Sequence, residues 1–423
     1  MCAASILSLK PVQFAVHGAG PFRSGYPALI RFCRLHDEES TARPDYAIAD
    51  ADIPAFPTWT PPDSYDRGRE LARLLLVVGR SGVGKSTVLG GIHASFGLLA
   101  QSARGSFADE HPSRNERLGK ASIPSEAQLD LRATCILDGE PRELILSIWT
   151  GGDQPPVDWS TVLAHGDAWG AREWARIGFR AGSSEPLESS DAIGRAILGA
   201  IRHAEDAGAY VPAPRHASGG PLVCGLRELP VCLSVGFDGG SLDSSWRSDL
   251  EAGRRGGTYR PSRDCPPLAD ATVGNLLDGM DASRSDAIVD HLTKAVVAPW
   301  GRSEKLEFTP AGTMVAVGEN GRSLVRQLHE MSRGERALLS LHANVLSRAT
   351  KATLVLIDDL DATFSAAEMP AFSRSLARLA RAMPAVTFVA VVRDLKSAQA
   401  FDVWDREPGL GVAVVAVDGF QAQ

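Results

Sequence analysis

Leu74 to Thr87 reads LLLVVGRSGVGKST, and the fold follows from how that stretch is understood. Leu74 to Val78 are five apolar residues closed by Gly79, the pattern of a short buried strand. Gly79, four residues, then Gly84, Lys85 and Ser86 satisfy the G-x-x-x-x-G-K-[ST] phosphate-loop spacing. Glycines let such a loop curl until its N–H groups point inward at phosphate oxygens. Gly79, Ser81, Gly82, Gly84 and Thr87 form the candidate cradle. Lys85 would reach the β- and γ-phosphates, and Ser86 would offer its hydroxyl to Mg²⁺. The following TVLGGIHASFGLL can form a helix whose N-terminus faces the same phosphates.

Around this loop lies a chain of 423 residues, long enough for two or three lobes. Its composition is 44% hydrophobic and 22% charged, ordinary for a globular protein. With a net charge of −7 it has no global positive field to draw it onto nucleic acid, so any such contact needs a local patch. Six scattered cysteines (Cys2, Cys33, Cys135, Cys224, Cys232, Cys265) include no C-x-x-C pair. That argues for reduced thiols in a cytoplasmic setting and against a disulfide framework or zinc site. Cys224 and Cys232 are expected as core residues of a strand pair. Lys10-Pro11 interrupts the apolar start, so no signal peptide is expected. No run approaches the roughly 18 apolar residues of a membrane span.

Upstream of the loop, PVQFAV and PALIRF predict two short strands within residues 11 to 34, and a Pro- and Asp-rich excursion with Trp59 follows. Downstream, residues 128 to 149 alternate apolar and polar on both sides of Asp138-Gly139, the signal of a tight hairpin. Residues 151 to 305 say less. Helices are predicted at 189–206 and 281–297, and a strand pair within Leu222 to Phe237. Between them, Arg254, Arg255, Tyr259, Arg260 and Arg263 share one loop, a composition able to grip a phosphate backbone and stack a base. A solvated loop is the simpler account. KLEFTP and GTMVAV, within 306 to 317, predict two more strands.

Order returns at MSRGERALLSLHANVLSRA, residues 331 to 349. Ser332 followed by Glu335 is a capping box, and Ala337, Leu338, Leu341, Val345 and Leu346 form one apolar face. Then ATLVLIDDL runs as an apolar strand into two carboxylates. In a phosphate-loop protein, Asp358 is placed to hold Mg²⁺ and Asp359 to polarise an attacking water.

A phosphate loop, a long insertion, S-x-G-E opening a helix and an apolar strand ending in two acids resemble the ABC-type ATPases. The branch most similar contains SMC, RecF and the ABC-like AAA ATPases of DNA repair and antiviral systems. LVLIDDLDATFS is similar to the SMC pattern of two acids followed by a short D-loop. The resemblance spans about residues 11–149 and 306–417. It implies that Ser332, Gly334 and Arg333 contact the γ-phosphate held by a second copy, so that two ATP molecules lie sandwiched in a head-to-tail homodimer. Where the family has a catalytic Glu, this chain has Asp359, one methylene shorter, which implies slow hydrolysis. Ser365 stands at the D-loop's usual Asp or His. Arg393 stands where the family has a His that senses the γ-phosphate. Gln154 and Gln128 are the two candidates for the Q-loop.

The expectation is thus an α/β P-loop NTPase of ABC-ATPase type with a β-rich N-terminal lobe and an inserted, partly helical lobe. Residues 1–150 would carry Walker A and the hairpin, 151–305 the insertion, and 306–423 the signature motif and Walker B. The expected activity is hydrolysis of ATP with Mg²⁺, head dimerisation gating DNA repair or antiphage defence. No room for an appended nuclease follows the last predicted strand, so an effector or nuclease would be a separate protein. DNA is a candidate partner, and no membrane partner is expected. Two alternatives stay open: a slowly hydrolysing clamp or sensor, and a transporter's nucleotide-binding subunit. The unmatched insertion, the missing sensor His and the unplaced Q-loop argue against the transporter.

Overall fold

The computed structural model describes residues 5–17, 28–31, 72–80, 84, 85, 88, 89, 91, 92, 95, 126–137, 139–151, 155, 171, 173–180, 186–188, 190–204, 231–236, 282–297, 304–308, 314–318, 323–326, 332–348, 353–358, 360–383, 386–404 and 410–416. At its centre five strands run parallel in the order β13-β3-β12-β11-β7. These are β3 (Leu74–Val78), β7 (Val231–Gly236), β11 (Thr353–Asp358), β12 (Thr387–Val392) and β13 (Val412–Ala416). The apolar run predicted as a strand is therefore β3. It pairs with β12 on one side and β13 on the other, Leu76 standing opposite both Ala390 and Val414.

A parallel sheet survives only with both faces covered, and this one has two cores. Leu74, Leu76, Ile357, Phe388 and Val392 point into the first. It is closed by α2 (Ala282–Leu292), the π-helical turn Thr293–Val297, α3 (Arg333–Arg348) and α5 (Met369–Ala382). Leu75, Val77, Leu354, Leu356 and Val389 point into the second, which holds Val88, Leu89 and Ile92 of the helix after the phosphate loop.

The far wall of that second core is another sheet, ordered β2-β1-β4-β5-β6. It consists of β1 (Ser5–His17), β2 (Ala28–Arg31), β4 (Glu126–Leu137), β5 (Glu140–Gly151) and β6 (Glu173–Arg180). The hairpin at 128–149 is β4–β5. Leu137 pairs with Glu140, leaving two residues for the turn, and Gly139 takes φ +84°, a conformation that favours glycine. Thr387 Oγ1 donates to Leu9 O at 3.2 Å and joins the two sheets. Helix α1 (Ala192–Ala204) packs beside β6, with Gly194 so close to Arg176 O that a Cβ would sit 2.3 Å from it. A third sheet, β10-β9-β8, is formed by β8 (Glu304–Phe308), β9 (Met314–Gly318) and β10 (Ser323–Arg326), the last unpredicted.

Of the strand pair predicted within residues 222–237, the structure describes one strand, β7, which holds Cys232 and pairs in parallel with β11, Cys232 standing opposite Leu354. Its partner lies more than a hundred residues away, so no local pattern could announce it. Within residues 151–305, predicted as an inserted lobe, β6 pairs in parallel with β5 at the edge of the β-rich sheet, β7 edges the central sheet and α2 closes a core. Cys224, Trp59 and the arginine loop at 254–263 lie outside the described residues.

Candidate functional site

Of the predicted site residues, Gly79, Asp358 and Arg393 lie at the carboxyl ends of β3, β11 and β12. β3 runs into Gly79, whose N–H donates to Val392 O at 3.3 Å, so the loop begins against the end of β12. Gly84 takes φ +98°, and the Val88 N–H donates to Gly84 O as the helix starts. Side chains rarely tolerate that φ, which explains a glycine at this point. The Lys85 ammonium donates to Gly79 O at 2.6 Å and Arg80 O at 2.7 Å, and the residue is buried at the loop's mouth. Ser81, Gly82, Ser86 and Thr87 lie outside the described residues.

Asp358 ends β11, half-buried. β12 lies between β11 and β3. Neighbouring strands are spaced about 4.8 Å apart, so Asp358 and the loop stand roughly 10 Å apart across the sheet edge. That span suits a phosphate chain with its metal. A hydroxyl and a carboxylate are also the hard oxygen donors that Mg²⁺ takes, usually one or two from protein and the rest from phosphate and water. The Asp358 carboxylate on this edge is a donor of the kind that fits Mg²⁺, and Ser86, the other predicted ligand, lies outside the described residues. Asp359 lies outside the described residues.

Arg393 follows β12 at the same edge and is exposed. Its backbone N–H donates to Asp361 Oδ2 at 2.7 Å. Asp361 sits on the short helix α4 (Leu360–Thr363), so this bond ties the turn after β11 to the end of β12. Burial holds the Asp361 carboxyl above the usual carboxylate range, partly offset by the Arg393 N–H. Asp361 was not anticipated as a site residue from the sequence. Its signal was the third acid of IDDLD, a carboxylate one turn into a chain reversal.

Ser332 and Glu335 form the predicted capping box. The Glu335 N–H donates to Ser332 Oγ at 3.2 Å, and the Ser332 N–H to Glu335 Oε2 at 3.0 Å. Ser332 is exposed and Gly334 buried. A hydroxyl that accepts in a cap still carries its own proton. Capping and donation to an anion are therefore compatible, where the sequence left a choice between them. Ser365, at the predicted D-loop position, is exposed, and its Oγ donates to Glu368 Oε2 at 2.8 Å.

Of the two Q-loop candidates, Gln154 lies outside the described residues and Gln128 is corrected. Gln128 is fully buried within β4, its Nε2 donating to Asp130 at 3.0 and 3.1 Å. Gln13 Nε2 donates to the same carboxylate at 2.6 Å, and Ser147 Oγ donates to it as well. The side chain is spent inside the β-rich wall.

No family model matches the sequence, and no curated protein matches it. Solved structures are similar to it at low identity. The SMC head domain of Thermotoga maritima is 12% identical, with 93% of this chain and 92% of that one covered, at a TM-score of 0.34. An Smc head domain with an extended coiled coil, bound to the C-terminal domain of ScpA from Pyrococcus furiosus, is 12% identical over 96% of each chain, at 0.33. CbiO1 of Clostridium perfringens, part of the ABC transporter complex CbiONQ, is 10% identical over 81% of this chain and 73% of its own, at 0.30. The α/β phosphate-loop architecture rests on the strand order and loop geometry above. No helix among the described residues is long and apolar enough to cross a membrane.

Proposed function

We propose that the chain binds and hydrolyses ATP as an ABC-type ATPase. Two copies would close head to tail around two ATP molecules, and that closure would gate a DNA-related process, repair or antiphage defence, through a separate effector or nuclease. The observation that carries the ATPase reading is that Lys85 and Asp358 share the carboxyl edge of one parallel sheet, with β12 and Arg393 between them. The dimer and the DNA link rest on the S-x-G-E motif and the family resemblance.

The roles follow from the chemistry. Lys85 would leave the carbonyls of Gly79 and Arg80 for phosphate oxygens. Gly79, Ser81, Gly82, Gly84 and Thr87 would line the phosphates with backbone N–H groups. Asp358 and Ser86 would hold Mg²⁺, which when bound neutralises charge on the transferring phosphate. Asp359 would orient water. Ser332 and Gly334 would present a helix N-terminus to the γ-phosphate of the opposite copy. Arg393 would add a cation at the same phosphate. Closure would then be a population shift driven by contacts available only with ATP in place.

The test measures mass in solution with and without ATP and Mg²⁺, for the natural chain and Ser332→Arg. Phosphate release is followed with and without double-stranded DNA. ATP-dependent doubling of mass, lost in Ser332→Arg, is expected, as is stimulation by DNA. An unchanged mass in all samples would reduce the 332–335 motif to a helix cap. The clamp reading is favoured by the short Asp359 side chain. It expects Asp359→Glu to turn over faster than the natural chain, whereas a slower variant removes it.

A further inference from the structure

On the side of the central sheet away from the β-rich wall, α2 and its π-helical turn run beside the C-terminal half of α5. Between them lies a groove of about 670 Å³. Asp290, His291, Lys294, Arg378 and Arg381 line it, together with the exposed Ala287 and the buried Ala295. These positions fall at three- and four-residue intervals on each helix, so one face of each is turned inward. Among the described residues lining it are three permanent cations and one carboxylate, which pairs with Lys294 at 2.7 Å. In a chain of net charge −7, this is a local reversal of sign.

The groove is also built. Arg378 Nη1 donates to the Lys294 carbonyl, crossing from one helix to the other. That carbonyl belongs to the π turn, where the wider coil departs from the ordinary helical ladder, a feature that recurs at functional sites. The inner wall is His291, whose Nε2 lies 3.1 Å from His342 Nδ1 on α3. His342 Nε2 in turn lies 3.1 Å from Ser375 Oγ on α5. The groove thus rests on a polar chain reaching the helix that Ser332 caps.

We propose that this groove docks an acidic segment of a partner protein. Carboxylates would pair with Lys294, Arg378 and Arg381, and an aliphatic side chain would lie on Ala287. The guanidinium is suited to this by its planar fork of donors. A duplex is the poorer occupant. Nucleic acid binding depends on many phosphate contacts spread along a surface, whereas these cations border one short interhelical groove with a carboxylate inside it.

The test uses the full chain without nucleotide, so its outcome is independent of ATP hydrolysis. Anisotropy is read for a fluorescein-labelled peptide alternating glutamates with a few leucines. A glutamine-for-glutamate peptide and a labelled oligothymidylate are the comparisons. The glutamate peptide should bind, weaken with added salt, and lose about tenfold or more in affinity in Arg381→Glu and in Lys294→Glu. Both residues are exposed, so the variants should melt with the natural chain. No binding, equal binding of the glutamine peptide, or unchanged binding in folded variants would overturn the proposal. Preference for oligothymidylate, lost in the same variants, would replace it with a nucleic-acid site.

Discussion

Single side chains in this protein carry opposite pH signatures. His342 is fully buried, and burial followed by the nearby His291 pushes it well below the ordinary histidine value of 6.5. His291 is lowered too, chiefly by burial. A histidine depressed in the folded state binds its proton more readily in the unfolded chain. Its contribution is therefore complete above 6.5 and lost as pH falls toward the lowered value. Urea midpoints should drop between pH 7.5 and pH 5.5, and His342→Gln should flatten that slope. Asp130 has the other sign. Burial raises it despite three donating partners, so its contribution is present below the ordinary carboxylate value and lost as pH rises through the raised one. Asp130→Ala strands the amide groups of Gln13 and Gln128, and should cost roughly 2–4 kcal/mol in chemical denaturation. Asp130→Asn, which keeps one acceptor, should cost less. At the loop, Lys85→Ala should lower phosphate release about 10²-fold while leaving the melting temperature in place.

Elements show where a sequence speaks and where it is silent. The hairpin β4–β5 was legible because its signal, alternation around Asp138-Gly139, is local. The phosphate loop was legible because its glycines answer to backbone geometry at fixed spacing, as Gly84 bears out. The capping box of α3 was legible for the same reason. β7 was not: VCLSVG is a strand by composition, but its partner β11 is chosen by the closing of a sheet. Gln128 and Asp130 occupy alternate positions of β4 that a pattern reading assigns to solvent, and the structure covers them. Nothing in the spacing of His291, His342 and Ser375 foretells their meeting, since they sit on three helices brought together by one apolar core. Packing of the loop helix on β1 makes its own prediction. A Cβ on Gly91 would stand 2.4 Å from Phe14 Cζ in a ring that is fully buried. Alanine would gain up to about 1 kcal/mol in helix propensity, but overpacking typically costs about 1–3 kcal/mol. Gly91→Ala should therefore melt lower than the natural chain, and Phe14→Leu, which shortens the opposing side chain, should recover part of the loss.

At the scale of the molecule, β3 is the strand that must wait for the rest of its sheet. It lies early in the chain, yet both its neighbours, β12 and β13, come from residues beyond 386. β1, β4 and β5, by contrast, pair among themselves within the first 151 residues. During synthesis the β-rich wall can assemble while the ribosome is still working, whereas the phosphate loop stays unsupported until the residues of β12 and β13 have emerged. A chain stopped at Thr350 should protect β4 and β5 from hydrogen exchange, leave β3 unprotected, and retain no fluorescent ATP analogue. Nucleotide competence then arrives last, and half-made copies would neither consume ATP nor titrate it away from finished ones.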